Sequence, residues 1–295
     1  SQTFNDLCVM SDDLSSVLEV KPPLIARIPV VLDSPHSGTV YPADFQPQVS
    51  MEEVRPGEDS FVDELFPGPE HGAPMLAAKF PRVYIDPNRA MDDISSEHID
   101  GEYPGPTNPS AKTDLGIGLI WTHSISRQLL YAQPLSAQAV EHRVNTYWKP
   151  YRQRLRELID DTYASHGVVM HINCHSMPSH WPEGFDRAGE PIGVDFVLGN
   201  RDHTTCSEET ANVARRALES CGYAVAINDQ MKGVDIVREQ GRPNEGRHSL
   251  QIEVVRDRYM DEPTWSKSDG FEGVQKALGV AIDALAAHIV ELRDR

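Results

Sequence analysis

The chain has 295 residues, of which 39% are hydrophobic and 24% are charged, and its formal net charge at pH 7 is −18. These totals are typical of a globular protein with a sizeable core, and so much negative charge repels nucleic acids and anionic membranes. We therefore expect neither as a partner. We find no secretory signal and no apolar run near the roughly 18 residues that a membrane helix needs.

Short apolar runs and helical patterns alternate along the chain. The runs predict strands at residues 28–32, 82–85, 167–173, 195–199, 224–227 and 249–255. Helices are predicted at 58–66, 137–165, 207–220 and 271–292. Spacings of three and four make the second the strongest signal, and Pro150 should bend or divide it. Thr205 and Glu208 are interpreted as the capping box of the third. Residues 95–118, rich in Gly, Pro, Ser and Asn, predict a long loop over a site.

This alternation predicts an α/β fold with a mostly parallel sheet that is covered on both faces. We expect a lead-in over residues 1–27 and a single catalytic domain over residues 28–295. Cys8, Cys174, Cys206 and Cys221 are scattered and form no C-x-x-C pair. Such cysteine usage favours reduced thiols and a cytoplasmic location.

Polar side chains follow several predicted strands. His36 comes after the first strand, Asn88 and Arg89 come after the second, and His175 comes after the third. The carboxyl ends of parallel strands form the sheet edge at which catalytic groups gather. Taken singly, each could be only a turn residue or part of a surface salt bridge. Two histidines and a carboxylate with one open position are, however, typical of a catalytic zinc site.

Carboxylates supply the remaining candidates. Glu253 lies inside an apolar strand, where desolvation would raise its pKa and suit it to general acid/base catalysis, although it could also point outward from an edge strand. Asp59 and Asp63 lie one helical turn apart and could be a metal ligand or a solvated acidic face.

Other kinds of catalytic site find no support in the sequence. There is no G-x-S-x-G elbow, no Walker loop and no G-x-G-x-x-G, which argues against a serine hydrolase and against a nucleotide site. Cys174 adjoins His175, but neighbours along a strand point to opposite faces, so a Cys–His pair is not expected.

The chain resembles the N-formylglutamate amidohydrolase (deformylase) family, whose fold is similar to that of the zinc carboxypeptidases. The matching segments run in the family's order from about residue 28 to residue 265. They are SPHSG at 34–38, DSFVDELF at 59–66, IDPNR at 85–89, YWKPY at 147–151, CHSMP at 174–178, DFVLG at 195–199, GRP at 241–243, HSLQIE at 248–253 and YMDE at 259–262.

The resemblance implies a zinc-carboxypeptidase-like fold, a three-layer α/β/α sandwich around a mixed sheet. It also implies one zinc ion per chain, bound by His36, Asp59 and His175, with Asp63 as the open alternative to Asp59. Glu253 would be the base for a zinc-bound water molecule.

The resemblance further implies that Arg89, oriented by Asn88, clamps a substrate carboxylate. Arg242, Arg247 and His248 are additional candidates for contacts with the substrate or with an oxyanion.

The activity implied is hydrolysis of a small N-formyl or other N-acyl amino acid. The oligomeric state is left open between a monomer and a homodimer. One departure is that residues 232–240, which include Asp235 and Glu239, replace a glycine-rich stretch that is common in the family. This added negative charge leaves the identity of the substrate open. A carboxypeptidase-like enzyme for short peptides and a non-catalytic binding protein are the alternatives, and retention of Glu253 argues against the second.

Overall fold

The computed structural model describes residues 14–295, in which seven strands form one sheet. Their order is β1-β3-β2-β6-β9-β7-β8. The strands are Leu18–Lys21 (β1), Val30–Ser34 (β2), Met75–Ala78 (β3), Val169–Met177 (β6), Phe196–Gly199 (β7), Val225–Ile227 (β8) and Arg247–Val255 (β9); two small sheets pair Ile99–Asp100 (β4) with Leu135–Ser136 (β5) and Met260–Asp261 (β10) with Ser266–Lys267 (β11).

Parallel pairing predominates among the central strands. β6 pairs in parallel with both β2 and β9, and β7 pairs in parallel with β8, whereas β7 runs antiparallel to β9. The predicted α/β fold with a mostly parallel, mixed sheet is therefore confirmed.

The helices vary from single turns to 23 residues. They are Met51–Val54 (α1), Val62–Leu65 (α2), Ala111–Asp114 (α3), Ala137–Arg143 (α4), Lys149–His166 (α5), Glu208–Ser220 (α6), Asp235–Gln240 (α7) and Phe271–Arg293 (α8). Short 3-10 turns occur at Arg55–Gly57, Pro69–His71, Ser96–His98, Pro243–Glu245 and Arg256–Arg258, and a π-helical turn at Val144–Trp148 joins α4 to α5.

The structure contains two compact units, each built from three separate segments of the chain. The first comprises Pro35–Glu58, Leu76–Arg154 and the described part of Ser1–Val20, and the second comprises Lys21–Ser34, Asp59–Met75 and Leu155–Arg295. A single catalytic domain over residues 28–295 stays a prediction, and half of the expected lead-in lies outside the described residues.

The second unit is built on strands with one apolar face. In β6 and β9 every second residue enters one hydrophobic cluster, Met170, Ile172 and Cys174 in β6 and Leu250, Ile252 and Val254 in β9. Apolar residues of α6 and α8 complete that cluster. Because strand side chains alternate between faces, the intervening residues of β6 and β9 lie on the other face.

The predicted strand at residues 82–85 is wrong, because Arg82–Tyr84 form a turn. The Arg82 side chain binds Asp86 Oδ2 through Nε (3.1 Å) and Nη2 (2.8 Å), which ties the two ends of the turn together. The nearby strand is β3, whose MLAA sequence has weak strand propensity and was not anticipated.

Two local predictions have different outcomes. The predicted division of the long helix near Pro150 is confirmed as the π-helical turn just before it, because proline cannot donate the helical hydrogen bond. The proposed capping role of Thr205 is wrong: Ser207 caps α6 by accepting a hydrogen bond from the Thr210 backbone N–H. Thr205 instead donates to the Ser249 carbonyl.

Among the described residues, α8 is long and apolar enough to cross a membrane by length and composition alone. Its apolar side, however, belongs to the core of the second unit, with Val274, Leu278, Ile282 and Leu285 all buried in the hydrophobic cluster. This packing is that of the core helix of a globular unit.

The α8 core contacts predict a large effect of one truncation. Leu285→Ala should lower the free energy of unfolding by about 2–5 kcal/mol, because Leu285 is completely buried and the change leaves a cavity. Val280→Ala on the exposed side of the same helix is the control, with an expected change within about 0.5 kcal/mol. Urea denaturation measures both, and equal effects would contradict the assignment of α8 to the core.

Candidate metal centre and active site

One face of the central strands carries a row of buried polar side chains. β2 contributes Asp33, β6 contributes His171, Asn173 and His175, and β9 contributes Ser249, Gln251 and Glu253. The strand register places them side by side, with Asp33 opposite Asn173, His171 opposite Ser249 and His175 opposite Glu253. The predicted third strand extends through His175, which therefore lies within β6 and not beyond it.

His36, Asp59 and His175 come together as a candidate metal site. Each offers one ligand atom, and the three atoms lie within 4.8 Å of one another. All three side chains are buried. His36 follows β2 and Asp59 precedes α2. Two imidazoles and one carboxylate are a ligand set that can hold a metal ion and leave a further position open.

The hydrogen bonds of His175 indicate which of its ring nitrogens could bind a metal ion. Asn173 donates from Nδ2 to Asp33 Oδ1 (2.7 Å), so its Oδ1 is the acceptor for His175 Nε2–H at 2.6 Å. His175 Nδ1 then carries the lone pair, and it lies 3.1 Å from Asp59 Oδ2. Two lone-pair atoms this close repel each other unless a proton or a cation neutralises them, so these residues fit a metal ion.

His36 is oriented in the same way by Asp86. Its Nε2 lies 2.8 Å from Asp86 Oδ1, which leaves Nδ1 as the ring nitrogen able to bind a metal. Burial alone would raise the pKa of Asp86, but the charges of Arg82, His36 and Arg89 outweigh it and hold that pKa well below its usual value. Asp86 is therefore a carboxylate that accepts the His36 N–H.

The structure separates the two candidate aspartates. Asp59 is buried, and its Oδ1 lies 3.2 Å from Nη2 of buried Arg256. Asp63 instead forms a partly exposed ion pair with Lys21 at 2.9 Å. The helical spacing that would put both on one face does not apply, because Asp59 precedes α2 and Phe61 adopts a left-handed backbone conformation at its start.

Glu253 lies on the same polar face as His175. It is 7% exposed, it is the register partner of His175 on β9, and it accepts a hydrogen bond from Gln251 Nε2 at 3.0 Å. A nearly buried carboxylate in this position, one strand away from a candidate metal ligand, can exchange protons with a reacting group.

Arg89 belongs to a cluster of positive charge in the first unit. Its Nε donates to the Ile117 carbonyl at 3.1 Å, and the Ile117 N–H donates to the Lys112 carbonyl at 2.9 Å. Burial, reinforced by the charges of Arg89 and Arg82, lowers the pKa of Lys112 to about 8. The backbone N–H of Asn88 donates to Asp86, which anchors the segment that carries Arg89.

Two other predicted contact residues, Arg247 and Arg242, lie in the second unit, each near an acidic side chain. Arg247 begins β9, six residues or roughly 20 Å of strand before Glu253, and binds Asp160 at 2.7 Å. Arg242, which is half exposed, lies 3.7 Å from Glu245.

Strand alternation places His248 away from the polar face, and the oxyanion role considered for it stays a prediction. His248 shares the core-facing side of β9 with Leu250 and Ile252, opposite the polar face. Its pKa is lowered by burial and by His288 on α8, which places it toward that helix.

Cys174 is a buried core residue. Burial, together with the charge of Asp33, raises the pKa of its thiol well above the usual value, which keeps the thiol protonated and unreactive. Cys206 and Cys221 are also free thiols, and Cys8 lies outside the described residues.

Sequence reasoning missed Asn173, Lys112 and Arg256. Asn173 binds His175, Arg256 binds Asp59, and Lys112 feels the charge of Arg89. A sequence signal existed for two of them. Asn173 lies two residues before His175 and hence on the same strand face, and Arg256 lies three residues after Glu253, directly after the apolar end of β9. Lys112 sits inside the long irregular segment, where no periodicity indicates a direction.

The fold and the cluster define an α/β enzyme with a buried His/Asp/His set that can hold a metal ion. The family model of N-formylglutamate amidohydrolase matches residues 28–260, and the chain belongs to this family. It is thus an amidohydrolase, a hydrolase of linear amide bonds, as the resemblance implied.

Individual relatives agree with this assignment. The crystal structure of N-formylglutamate amidohydrolase from Ralstonia eutropha JMP134 is 42% identical, covers 95% of this chain and 99% of that one, and superposes with a TM-score of 0.85. N-formylglutamate deformylase of Pseudomonas putida is 28% identical over 88% of this chain and 93% of that protein. The same-named protein of Pseudomonas aeruginosa is 27% identical over 88% and 94%.

The geometry predicts different metal contents for two aspartate variants. Asp59→Asn should lose most of its bound metal and its activity, because it removes the anionic ligand of the cluster. Asp63→Asn, which breaks only the surface pair with Lys21, should retain both. Elemental analysis after dialysis measures the metal, and full metal occupancy in Asp59→Asn would remove Asp59 from the ligand set.

Proposed function

We propose that this protein hydrolyses the formamide bond of N-formylglutamate, or of a closely similar N-acyl amino acid, with a zinc ion held by His36, Asp59 and His175. The observation that carries the proposal is that these three buried ligands converge in a chain of this family, and that Glu253 is the strand neighbour of His175. The names of the relatives above support the choice of substrate.

The ligand chemistry supports zinc. Two imidazole nitrogens and one carboxylate suit a borderline-soft cation, and three protein ligands are usual where zinc takes part in a reaction. A zinc ion bound here would supply Lewis acidity toward the acyl oxygen and toward a water molecule.

Glu253 supplies the proton transfers in this proposal. Its carboxylate takes a proton from the attacking water and returns it to the departing amino nitrogen. The 7% exposure of Glu253 and its hydrogen bond from Gln251 hold the carboxylate in one place on the polar face. Products are formate and the free amino acid.

The cationic cluster of the first unit supports a substrate that bears a carboxylate. Arg82 and Arg89 both act on one carboxylate, Asp86, and both lower the pKa of Lys112, so positive charge is in excess here in a protein of net charge −18. A planar guanidinium such as that of Arg89 binds carboxylates in a bidentate manner.

The acidic residues that raised doubt about a dicarboxylate substrate have cationic neighbours. Asp235 Oδ1 makes a short contact with Arg238, and Glu239 lies 3.4 Å from Arg156. Their charges are therefore partly compensated, which weakens the objection to a dicarboxylate such as formylglutamate. A cytoplasmic location and a monomeric or dimeric state stay predictions.

Release of formate from N-formylglutamate by the zinc-loaded full chain tests the proposal. N-acetylglutamate, N-formylglycine and unmodified dipeptides form the comparison panel. The proposal expects the highest kcat/KM for N-formylglutamate and loss of turnover after chelation. Faster cleavage of dipeptides would favour a peptidase, and no turnover with bound zinc would favour a binding protein.

Glu253→Gln tests whether Glu253 is the general base without removing a proposed metal ligand. We expect this variant to keep its zinc and to lose at least about 100-fold in kcat, the usual contribution of a general base. Glu245→Gln, an exposed change, serves as the control and should leave kcat unaltered. Steady-state formate assays measure kcat, and wild-type turnover in Glu253→Gln would exclude it as the base.

Lys112 predicts a pH dependence of substrate binding. Its pKa of about 8 means that it is charged below that pH and neutral above it, so KM for N-formylglutamate should rise as the pH passes from 7 to 9.5. Losing one charge-assisted hydrogen bond corresponds to about a tenfold change in KM. Lys112→Met should remove this rise. If KM of that variant followed the same pH curve, Lys112 would not bind the substrate.

A further inference from the structure

A chain of buried hydrogen bonds crosses β2, β6 and β9 and ends on the ring of His175. Ser249 Oγ lies 2.7 Å from His171 Nδ1, and His171 Nε2 lies 2.8 Å from Asp33 Oδ1. The same oxygen of Asp33 lies 2.7 Å from Asn173 Nδ2, and Asn173 Oδ1 lies 2.6 Å from His175 Nε2. These five side chains are at most 2% exposed.

The direction of every hydrogen bond in this chain follows from the Asp33 carboxylate. A carboxylate only accepts, so His171 Nε2 and Asn173 Nδ2 both donate to it. A neutral His171 ring then accepts the Ser249 hydroxyl hydrogen at Nδ1, and the carbonyl oxygen of Asn173 must face His175. A reversed Asn173 amide would set N–H against N–H at His175 and oxygen against oxygen at Asp33.

We propose that Asn173, oriented by Asp33 and His171, is a positioning residue that fixes the His175 ring in the tautomer whose Nδ1 faces the metal site. The inference rests on the proposed metal role of His175. Ligating histidines generally donate their other ring N–H to a fixed acceptor. Here the acceptor is the neutral amide of Asn173, which is oriented by Asp33, and Asp33 is bound in turn by His171.

Packing alone gives no reason for polar residues at these positions. Further along the same face, Met177 of β6 and Val255 of β9 join a small apolar cluster with Trp181 and Val197. Hydrophobic residues are therefore compatible with this side of the sheet. A carboxylate with no exposed surface, as at Asp33, is costly to bury, which is consistent with a role beyond stability.

The test is the zinc dissociation constant of Asn173→Leu in the full chain, measured by competition with a chromophoric chelator. Leucine has a similar volume but offers no acceptor, so zinc should bind about 10–100-fold more weakly. The visible spectrum of the cobalt-substituted variant should change as well, because the His175 ring can rotate. Asp33→Asn, which retains an acceptor oxygen, should weaken binding less than Asn173→Leu.

Cys174→Ala is the matched control. Cys174 lies between Asn173 and His175 but on the opposite, apolar face of β6. Its truncation should lower the free energy of unfolding and leave the zinc dissociation constant unchanged. If Asn173 had only a structural role, Asn173→Leu would also lower the free energy of unfolding and leave the zinc dissociation constant unchanged.

Wild-type zinc affinity and an unchanged cobalt spectrum in Asn173→Leu would overturn the inference. If that variant fails to fold, Asn173→Ser replaces it, because the shorter serine side chain ends before the position of the acceptor oxygen. Weaker zinc binding with a changed cobalt spectrum would again support the inference, and wild-type values would overturn it. A failure of the proposed metal role of His175 looks different: the unaltered chain would bind no zinc at all.

Discussion

Polar atoms buried in a protein interior must be matched by hydrogen-bond partners, and this constraint governs the face of β2, β6 and β9 that carries the candidate site. A single unmatched buried group costs about 1–3 kcal/mol, and an unpaired charge costs more. His171 meets this requirement by bonding to Ser249 and Asp33, and Asn173 meets it by bonding to Asp33 and to the ring of His175. These hydrogen bonds leave Nδ1 of His175 facing Asp59.

The two faces of these strands serve different purposes. One face enters the hydrophobic cluster with α6 and α8, and its burial stabilises the second unit. That support allows the other face to hold polar groups that contribute little net stability. A ligand on the interior of a strand such as β6 is also held more rigidly than one on a loop, which favours a defined coordination geometry.

Much of this organisation could be predicted from the sequence. Apolar runs located β2, β6, β7, β8 and β9 to within a few residues, and the family motifs indicated His36, Asp59 and His175. The strand at 82–85 failed because an apolar run says nothing about the Arg82–Asp86 contact that closes a turn. The placement of His248 could not be predicted from its motif, because a motif gives neighbours in sequence, whereas a strand sends neighbours to opposite faces. Lys112 needed the tertiary structure, since its significance comes from charges distant in sequence.

X-ray absorption at the zinc edge of the purified, zinc-loaded full chain tests the central claim most directly. One zinc ion per chain with two imidazole nitrogens at about 2.0–2.1 Å and additional oxygen ligands is the expected result, with loss of one imidazole in His175→Ala. A zinc environment without imidazole scattering, or an unchanged two-imidazole signal in His175→Ala, would contradict the account.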